Sequence, residues 1–257
     1  MKQPHGQNFL VEKNIALKIL TAAGITSTDK VIEIGPGKGI LTGLIAPVAG
    51  QLKAIEIDKN LFENLKLRFA TFENTSIILA DFLRYSFSEE EGPLKIVSNL
   101  PYNVSTAIIE KFLPENNWTT AVIMVQKEVG ERLTAAPGTK DYGSFTIICR
   151  HYAQIKKLFS VGPGCFFPKP RVDSVVLKLT NLCSGRLESL FIQFIKSAFS
   201  QRRKTALNSI SSALNLSKPE VLKAFEASRV DTSLRPENLD IGQFDRIYKT
   251  LPFPPVE

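Results

Sequence analysis

Four residues of strand character, Val31 to Ile34, run directly into Gly35-Pro36-Gly37-Lys38-Gly39, and that junction limits the chain more than any other stretch. Three glycines around a proline make a tight turn, and glycine lets a bound molecule approach the main chain where a side chain would block it. Gly39 to Val48 then reads as the start of a helix, and Leu52 to Ile57 as the next strand, closed by Asp58. A helical pattern covers Leu61 to Phe72, and further short strands are expected at Ile77 to Leu79, Lys95 to Val97 and Ala121 to Val125. Strands alternating with helices predict a largely parallel sheet covered on both faces. Ile155 to Val161 and Ser174 to Leu179 are expected to close it as an antiparallel pair across a Gly/Pro-rich loop.

Beyond Thr180 the pattern changes to helices, at Leu187 to Phe199, Thr205 to Leu214, Pro219 to Ala227 and Ile241 to Thr250, punctuated by Pro and Ser. The expected division is a catalytic α/β domain over residues 1–182 and a small all-helical domain over 183–257. No apolar run approaches the roughly 18 residues a membrane span needs. The segment Met1-Lys2-Gln3-Pro4-His5-Gly6 lacks the layout of a secretory signal. Three cysteines and two histidines, without metal-ligand spacing, predict neither a zinc site nor a disulfide framework, so no metal and a cytoplasmic location are expected. A net charge of +7 suits a polyanionic partner without identifying one.

The glycine turn and the acids after the second strand, Glu56 and Asp58, describe a nucleoside crevice. An acid in that place accepts both hydroxyls of a ribose. A dinucleotide fingerprint requires a third glycine at position 40, which is Ile40, so S-adenosylmethionine is favoured over NAD. The expected architecture is therefore a Rossmann-like S-adenosylmethionine-dependent methyltransferase domain, with Gly35, Gly37 and Glu56 at the cofactor. Asp81, at the end of the third strand, and Phe82 after it suit an adenine amino group and an adenine face; the alternative for Asp81 is a turn acid or helix cap.

Asn99-Leu100-Pro101-Tyr102 stands at the end of the fourth strand, where open α/β sheets collect ligands. The lone pair of an adenine N6 is delocalised into its ring, which makes it a poor nucleophile. Carbonyl oxygens of Asn99 and Leu100 can accept its two hydrogens, Pro101 fixes the turn, and Tyr102 offers a stacking face. Such a site works mainly by orientation and needs no strong base. Phe166, in Phe166-Phe167-Pro168-Lys169-Pro170, is expected to face Tyr102 across an extruded base, and Phe167 reads equally as a core or a functional residue.

Gly6-Gln7-Asn8-Phe9-Leu10, Glu33 to Gly39, Asn99 to Thr106 and Phe166 to Ser174 together resemble the ribosomal RNA small-subunit adenine dimethyltransferases, relatives of the erythromycin-resistance methyltransferases. Gln126-Lys127-Glu128 and Gln201-Arg202-Arg203-Lys204 agree with the same family, so the resemblance spans essentially the whole chain. It implies that Asn8 and Leu10 close over the cofactor, that Asn99 touches cofactor and target alike, and that Phe166 lies at the target. It further implies a monomer that dimethylates two adjacent adenosines in a hairpin loop near the 3′ end of 16S rRNA, within an assembling small ribosomal subunit. Arg202, Arg203 and Lys204 are candidates for RNA phosphate, and residues 183–257 for RNA or ribosome binding. The alternatives are a large-subunit adenine N6-methyltransferase of the antibiotic-resistance type and a non-catalytic assembly factor.

Overall fold

The computed structural model describes residues 8–201 and 203–251. Gly6, Gln7 and Arg202, drawn on above, lie outside the described residues. In chain order the elements are β1 (Phe9–Leu10), α1 (Lys13–Ala23), β2 (Lys30–Ile34), α2 (Thr42–Ile45), β3 (Gln51–Glu56), α3 (Lys59–Arg68), β4 (Thr75–Leu79), β5 (Leu94–Asn99), α4 (Ser105–Phe112) and β6 (Trp118–Gln126). They continue with α5 (Lys127–Thr134), α6 (Ser144–Tyr152), β7 (Ala153–Val161), β8 (Phe166–Phe167), β9 (Ser174–Asn181), α7 (Ser189–Ala198), α8 (Ala206–Leu214), α9 (Lys218–Ala227) and α10 (Ile241–Thr250).

Seven strands form one sheet in the order β4-β3-β2-β5-β6-β9-β7. From β4 to β6 all neighbours are parallel, while β9 runs antiparallel to both β6 and β7. The expected closing pair is thus present, and the α/β methyltransferase architecture with a helical C-terminal region holds. The central strands are apolar along their length, with Val31, Ile32 and Ile34 of β2 and Ala121 to Val125 of β6 all buried, because both faces are covered. Successive crossovers step away from β2 on either side, through β3 and β4 one way and β5 and β6 the other. A crevice opens at such a switch point beyond the carboxyl ends of the strands.

Helix α2 is shorter than the sequence suggests, because Gly39 turns with φ +76° and Pro47 follows closely behind. A Cβ at Gly39 would come within 2.7 Å of the Leu65 side chain on α3, so close helix packing and left-handed backbone both require glycine there. Helices α1, α4, α5 and α6 are additional to the elements the sequence reading named. Helix α1 buries Ala16, Ile19 and Ala23, a single stripe, and stops at Gly24 in left-handed conformation. Helix α3 starts at Asp58, whose side chain accepts from the N–H groups of Asn60 and Leu61.

Two compact units divide the chain, Met1–Glu131 with Tyr152–Ser184, and Arg132–His151 with Gly185–Glu257. A single cut at 182/183 does not describe them, because residues 132–151 belong with the C-terminal helices. Gly138 N–H donates to the Glu237 carbonyl at 2.7 Å, Tyr142 Oη to the Leu239 carbonyl at 3.0 Å, and the Tyr142 ring lies 6.4 Å from Phe199. Within this unit Phe191, Phe194, Phe244 and Tyr248 form an aromatic core with ring centroids 5.0–6.0 Å apart. No helix among the described residues is long and apolar enough to cross a membrane.

Candidate active site

The first compact unit contains a cavity of about 200 Å³ at the carboxyl ends of β2, β3, β4 and β5. Asn8, Leu10, Gly35, Gly37, Glu56, Asp81, Phe82, Asn99, Leu100, Pro101 and Tyr102 all line it, so residues far apart in sequence converge on one space. A wider and more open depression of about 840 Å³ lies nearby, where Lys53 pairs with Glu90 at 2.6 Å and Lys30 with Glu91 at 3.3 Å. Both of its lysines are thus paired with carboxylates, and it holds neither the glycine turn nor the β5 loop. The narrower cavity is therefore the candidate site.

Glu56 forms its floor. The carboxylate is 2% exposed and accepts from Gly37 N–H at 3.0 Å and Asp58 N–H at 2.9 Å. Burial holds its pKa above the ordinary carboxylate value, against the pull of those backbone donors. Gly37 has φ +58°, and a Cβ there would meet the Phe9 ring at 2.9 Å, so glycine lets the amino-terminal segment close over the turn. Glu33 also lines the cavity, 1% exposed, accepting from the Thr42 hydroxyl at 2.6 Å. Burial pushes its pKa up to about 8; the Thr42 hydrogen bond opposes this and the neighbouring Glu56 adds to it.

At the far end Asp81 uses Oδ1 to accept from Leu83 N–H at 2.9 Å, and Oδ2 lies 3.9 Å from the Arg84 side chain. The turn-acid and cavity-lining descriptions of Asp81 are both true. Phe82 is buried against Phe87, with centroids 5.7 Å apart; Phe87 continues to Phe112 and Phe112 to Trp118. One ring thus serves as cavity wall and as the edge of a core.

The β5 loop is fixed from three sides. Ser98 Oγ donates to the Ile34 carbonyl at 2.5 Å, Leu100 N–H to the Met124 carbonyl at 3.0 Å, and Asn99 Nδ2 to the Asn8 carbonyl at 3.3 Å. The other end of the Asn99 amide differs: Oδ1 is buried without a hydrogen-bond partner. Leaving a buried acceptor unpaired costs about 1–3 kcal/mol, so an oxygen kept in that state is ready for a donor from outside. Tyr102 Oη shares a 2.5 Å hydrogen bond with Ser174 Oγ, and burial holds the phenol above its ordinary pKa.

Phe166 is 4% exposed, and its ring meets Tyr102 edge to face at 6.4 Å and 67°. The rings touch instead of facing one another across a gap, so a base enters between them only if one ring turns. Strands β1 and β8 pair antiparallel, Phe9 opposite Phe167 and Leu10 opposite Phe166, which joins the Phe166-Phe167-Pro168 segment to the segment over the glycine turn. Phe9, Lys38 and Glu33 were not named as site residues. Phe9 was visible in the amino-terminal motif, but its contact with Gly37 depends on a pairing 158 residues away in the chain, Phe9 to Phe167. Arg203 and Lys204 are exposed on the turn before α8, in the second unit. Among the described residues no group of three or more His, Cys, Asp or Glu side chains is placed to hold a metal ion.

The model of the family described as ribosomal RNA adenine dimethylase matches residues 1–252. The chain is 41% identical over 256 residues to a ribosomal RNA small subunit methyltransferase A of Clostridium acetobutylicum, covering 95% of this chain and 92% of that one. It is 40% identical over 250 residues to the protein of the same name from Clostridioides difficile, covering 93% and 86%. A dimethyladenosine transferase from Plasmodium falciparum superposes with a TM-score of 0.80 at 26% identity, over 94% of this chain and 98% of that one. The 23S rRNA methyltransferase ErmE shares the fold, with a TM-score of 0.71 at 24% identity, over 95% and 99%.

The elevated Glu33 pKa makes stability depend on pH. Its ordinary value is 4.5 and its value in the fold is about 8. Between the two, the folded chain keeps a proton that the unfolded chain has released, so stability falls as pH rises, by up to about 1.4 kcal/mol per pH unit. Glu33→Gln cannot ionise. Thermal melts from pH 5 to pH 8 should show the variant gaining steadily on the parent, whereas a constant difference would show that Glu33 ionises normally.

Proposed function

The chain belongs to the ribosomal RNA adenine dimethylase family, and on that premise we propose that it N6,N6-dimethylates two adjacent adenosines in a hairpin loop near the 3′ end of 16S rRNA during maturation of the small ribosomal subunit. The coarser activity, S-adenosylmethionine-dependent methylation of adenine in small-subunit rRNA, follows from the family and from relatives about 40% identical. The observation that carries the amino-group methylation reading at the site is the unpartnered Oδ1 of Asn99, an acceptor buried at the cavity wall; the choice of the two adjacent adenosines rests on the family resemblance.

S-adenosylmethionine, when bound, supplies a methyl group on a positively charged sulfur. The residues present fit it. Glu56 is fixed by two backbone donors at the end of β3, where a carboxylate accepts from ribose hydroxyls, and Asp81 and Phe82 offer an acceptor and a face to adenine. Gly35 and Gly37 leave room at the turn, and Asn8 and Leu10 cover it. Asn99 Oδ1 and the Leu100 carbonyl accept the two hydrogens of the target amine and hold its lone pair toward the reacting carbon. Pro101 keeps that turn in place, and Tyr102, anchored to Ser174, gives the base a surface. Orientation of this kind supplies a large share of a barrier reduction without a strong base.

Arg203 and Lys204 are exposed and suit phosphate contacts, which position RNA without reading its sequence. The same proposal has the chain act as a monomer, in the cytoplasm, on an assembling subunit. A large-subunit target remains the second reading, since ErmE shares the fold.

Unmodified small and large ribosomal subunits, offered separately with labelled S-adenosylmethionine, test the assignment. Label on two adjacent adenosines near the 3′ end of small-subunit rRNA is the expected result; label on large-subunit rRNA overturns it. Glu56→Ala should weaken S-adenosylmethionine binding by about 1.5–3 kcal/mol, the scale of hydrogen bonds to charged groups, and unchanged affinity in calorimetry would remove Glu56 from the cofactor. Phe166→Ala should keep cofactor affinity but slow the second transfer about tenfold or more, on the scale of a lost stacking contact, while Phe166→Tyr keeps most of the rate. Quenched single-turnover analysis reads this directly. Dimethyladenosine formed at the parent rate by a folded alanine variant would exclude Phe166 from the target.

A further inference from the structure

Strand β8 places two phenylalanines side by side with opposite fates. Phe166 is 4% exposed beside Tyr102, and Phe167 is 63% exposed, because successive side chains of a strand point to opposite faces. An exposed phenylalanine is unremarkable alone. Phe167, however, is held: the Lys38 ammonium lies 5.6 Å from its ring centroid and 5.1 Å from that of Phe9, its partner across the ribbon. A cation over two aromatic faces attracts both. One side of the Phe167 ring therefore carries Lys38, and the exposed area belongs to the rest of the ring.

We propose that Phe167 is a stacking platform for the nucleobase flanking the target adenosine, with Lys38, Lys169 and Arg171 supplying positive charge for the adjoining phosphates. This rests on the RNA-methylating reading of the same site. The partner is single-stranded RNA at the point where one base has left the stack. Extruding an adenine strips its neighbour of a stacking partner, and an aromatic ring one residue along the strand from the pocket wall replaces it. The surroundings match that chemistry: Lys169 and Arg171 are exposed on the same loop, and Lys38 adds a third cation at the ring. Aromatic faces bordered by cations are how proteins hold unpaired nucleotides without reading sequence. The platform lies outside the pocket, so its contribution is to RNA affinity and not to cofactor binding.

The test compares the parent with Phe167→Ala, Phe167→Leu and Phe167→Trp. Unmodified small subunits serve as the RNA partner, and affinity for S-adenosylmethionine is measured in parallel. Phe167→Ala and Phe167→Leu should each bind the subunit roughly 5- to 20-fold more weakly, from the loss of one base stack, with cofactor affinity unchanged. Phe167→Trp should bind within about twofold of the parent. If Phe167→Leu binds as well as Phe167→Trp, apolar contact suffices and the platform is excluded. Equal binding by all four also excludes it, and the leucine variant keeps the test informative should the alanine variant unfold. Parent protein that neither binds nor methylates the small subunit would refute the underlying reading, an outcome distinct from variants that match an active parent.

Discussion

The carboxylate of Glu56, buried at the end of β3, holds the N–H groups of Gly37 and Asp58 at once. Those two bonds tie the glycine turn after β2 to the residue that caps α3, at the wall of the cavity. Burial alone would favour a protonated acid, and the two backbone donors offset part of that cost. Around the tie, Phe9 closes on Gly37, and Glu33 accepts from Thr42 at the start of α2. A buried carboxylate with two fixed donors is a rigid object, and a site that works by orientation needs one.

The second half of the site depends on a comparable restraint. Ser98, Leu100 and Asn99 bond to β2, β6 and the amino-terminal segment in turn, leaving the Asn99 amide rotated so that its nitrogen is used and its oxygen is not. Because the nitrogen is committed to the Asn8 carbonyl, the oxygen cannot exchange places with it. Tyr102 is fixed by Ser174, which explains chemically why a serine ends the Arg171-Val172-Asp173-Ser174 stretch so far along the chain.

Much of this was legible in the sequence. The strand patterns located β2 through β6 to within a few residues, and the antiparallel β7–β9 pair followed from two apolar runs around a Gly/Pro loop. Asn8, Leu10, Gly35, Gly37, Glu56, Asp81, Phe82 and the β5 loop from Asn99 to Tyr102 line one cavity, whereas Asp58, read beside Glu56 as a crevice acid, caps α3 instead. What escaped depends on long-range contacts that local pattern does not encode. Residues 132–151 group with the C-terminal helices through Tyr142 and Gly138, bonds to residues about a hundred positions later. The β1–β8 ribbon is two residues long, too short for a periodicity, and only its pairing separates the buried Phe166 from the exposed Phe167. Helix α2 is cut short by Gly39 and Pro47, a propensity effect that an apolar pattern over Ile40 to Ile45 conceals.

The central claim is that the buried, unpartnered oxygen of Asn99 receives a hydrogen from the amino group to be methylated. A crystal structure of the protein with S-adenosylhomocysteine and an adenosine-containing RNA fragment tests it most directly. Asn99 Oδ1 within about 3 Å of the adenine N6, the ordinary length of such a bond, is the result predicted. An adenine seated in the cavity with N6 bonded elsewhere, and Asn99 Oδ1 still unpaired, would contradict it.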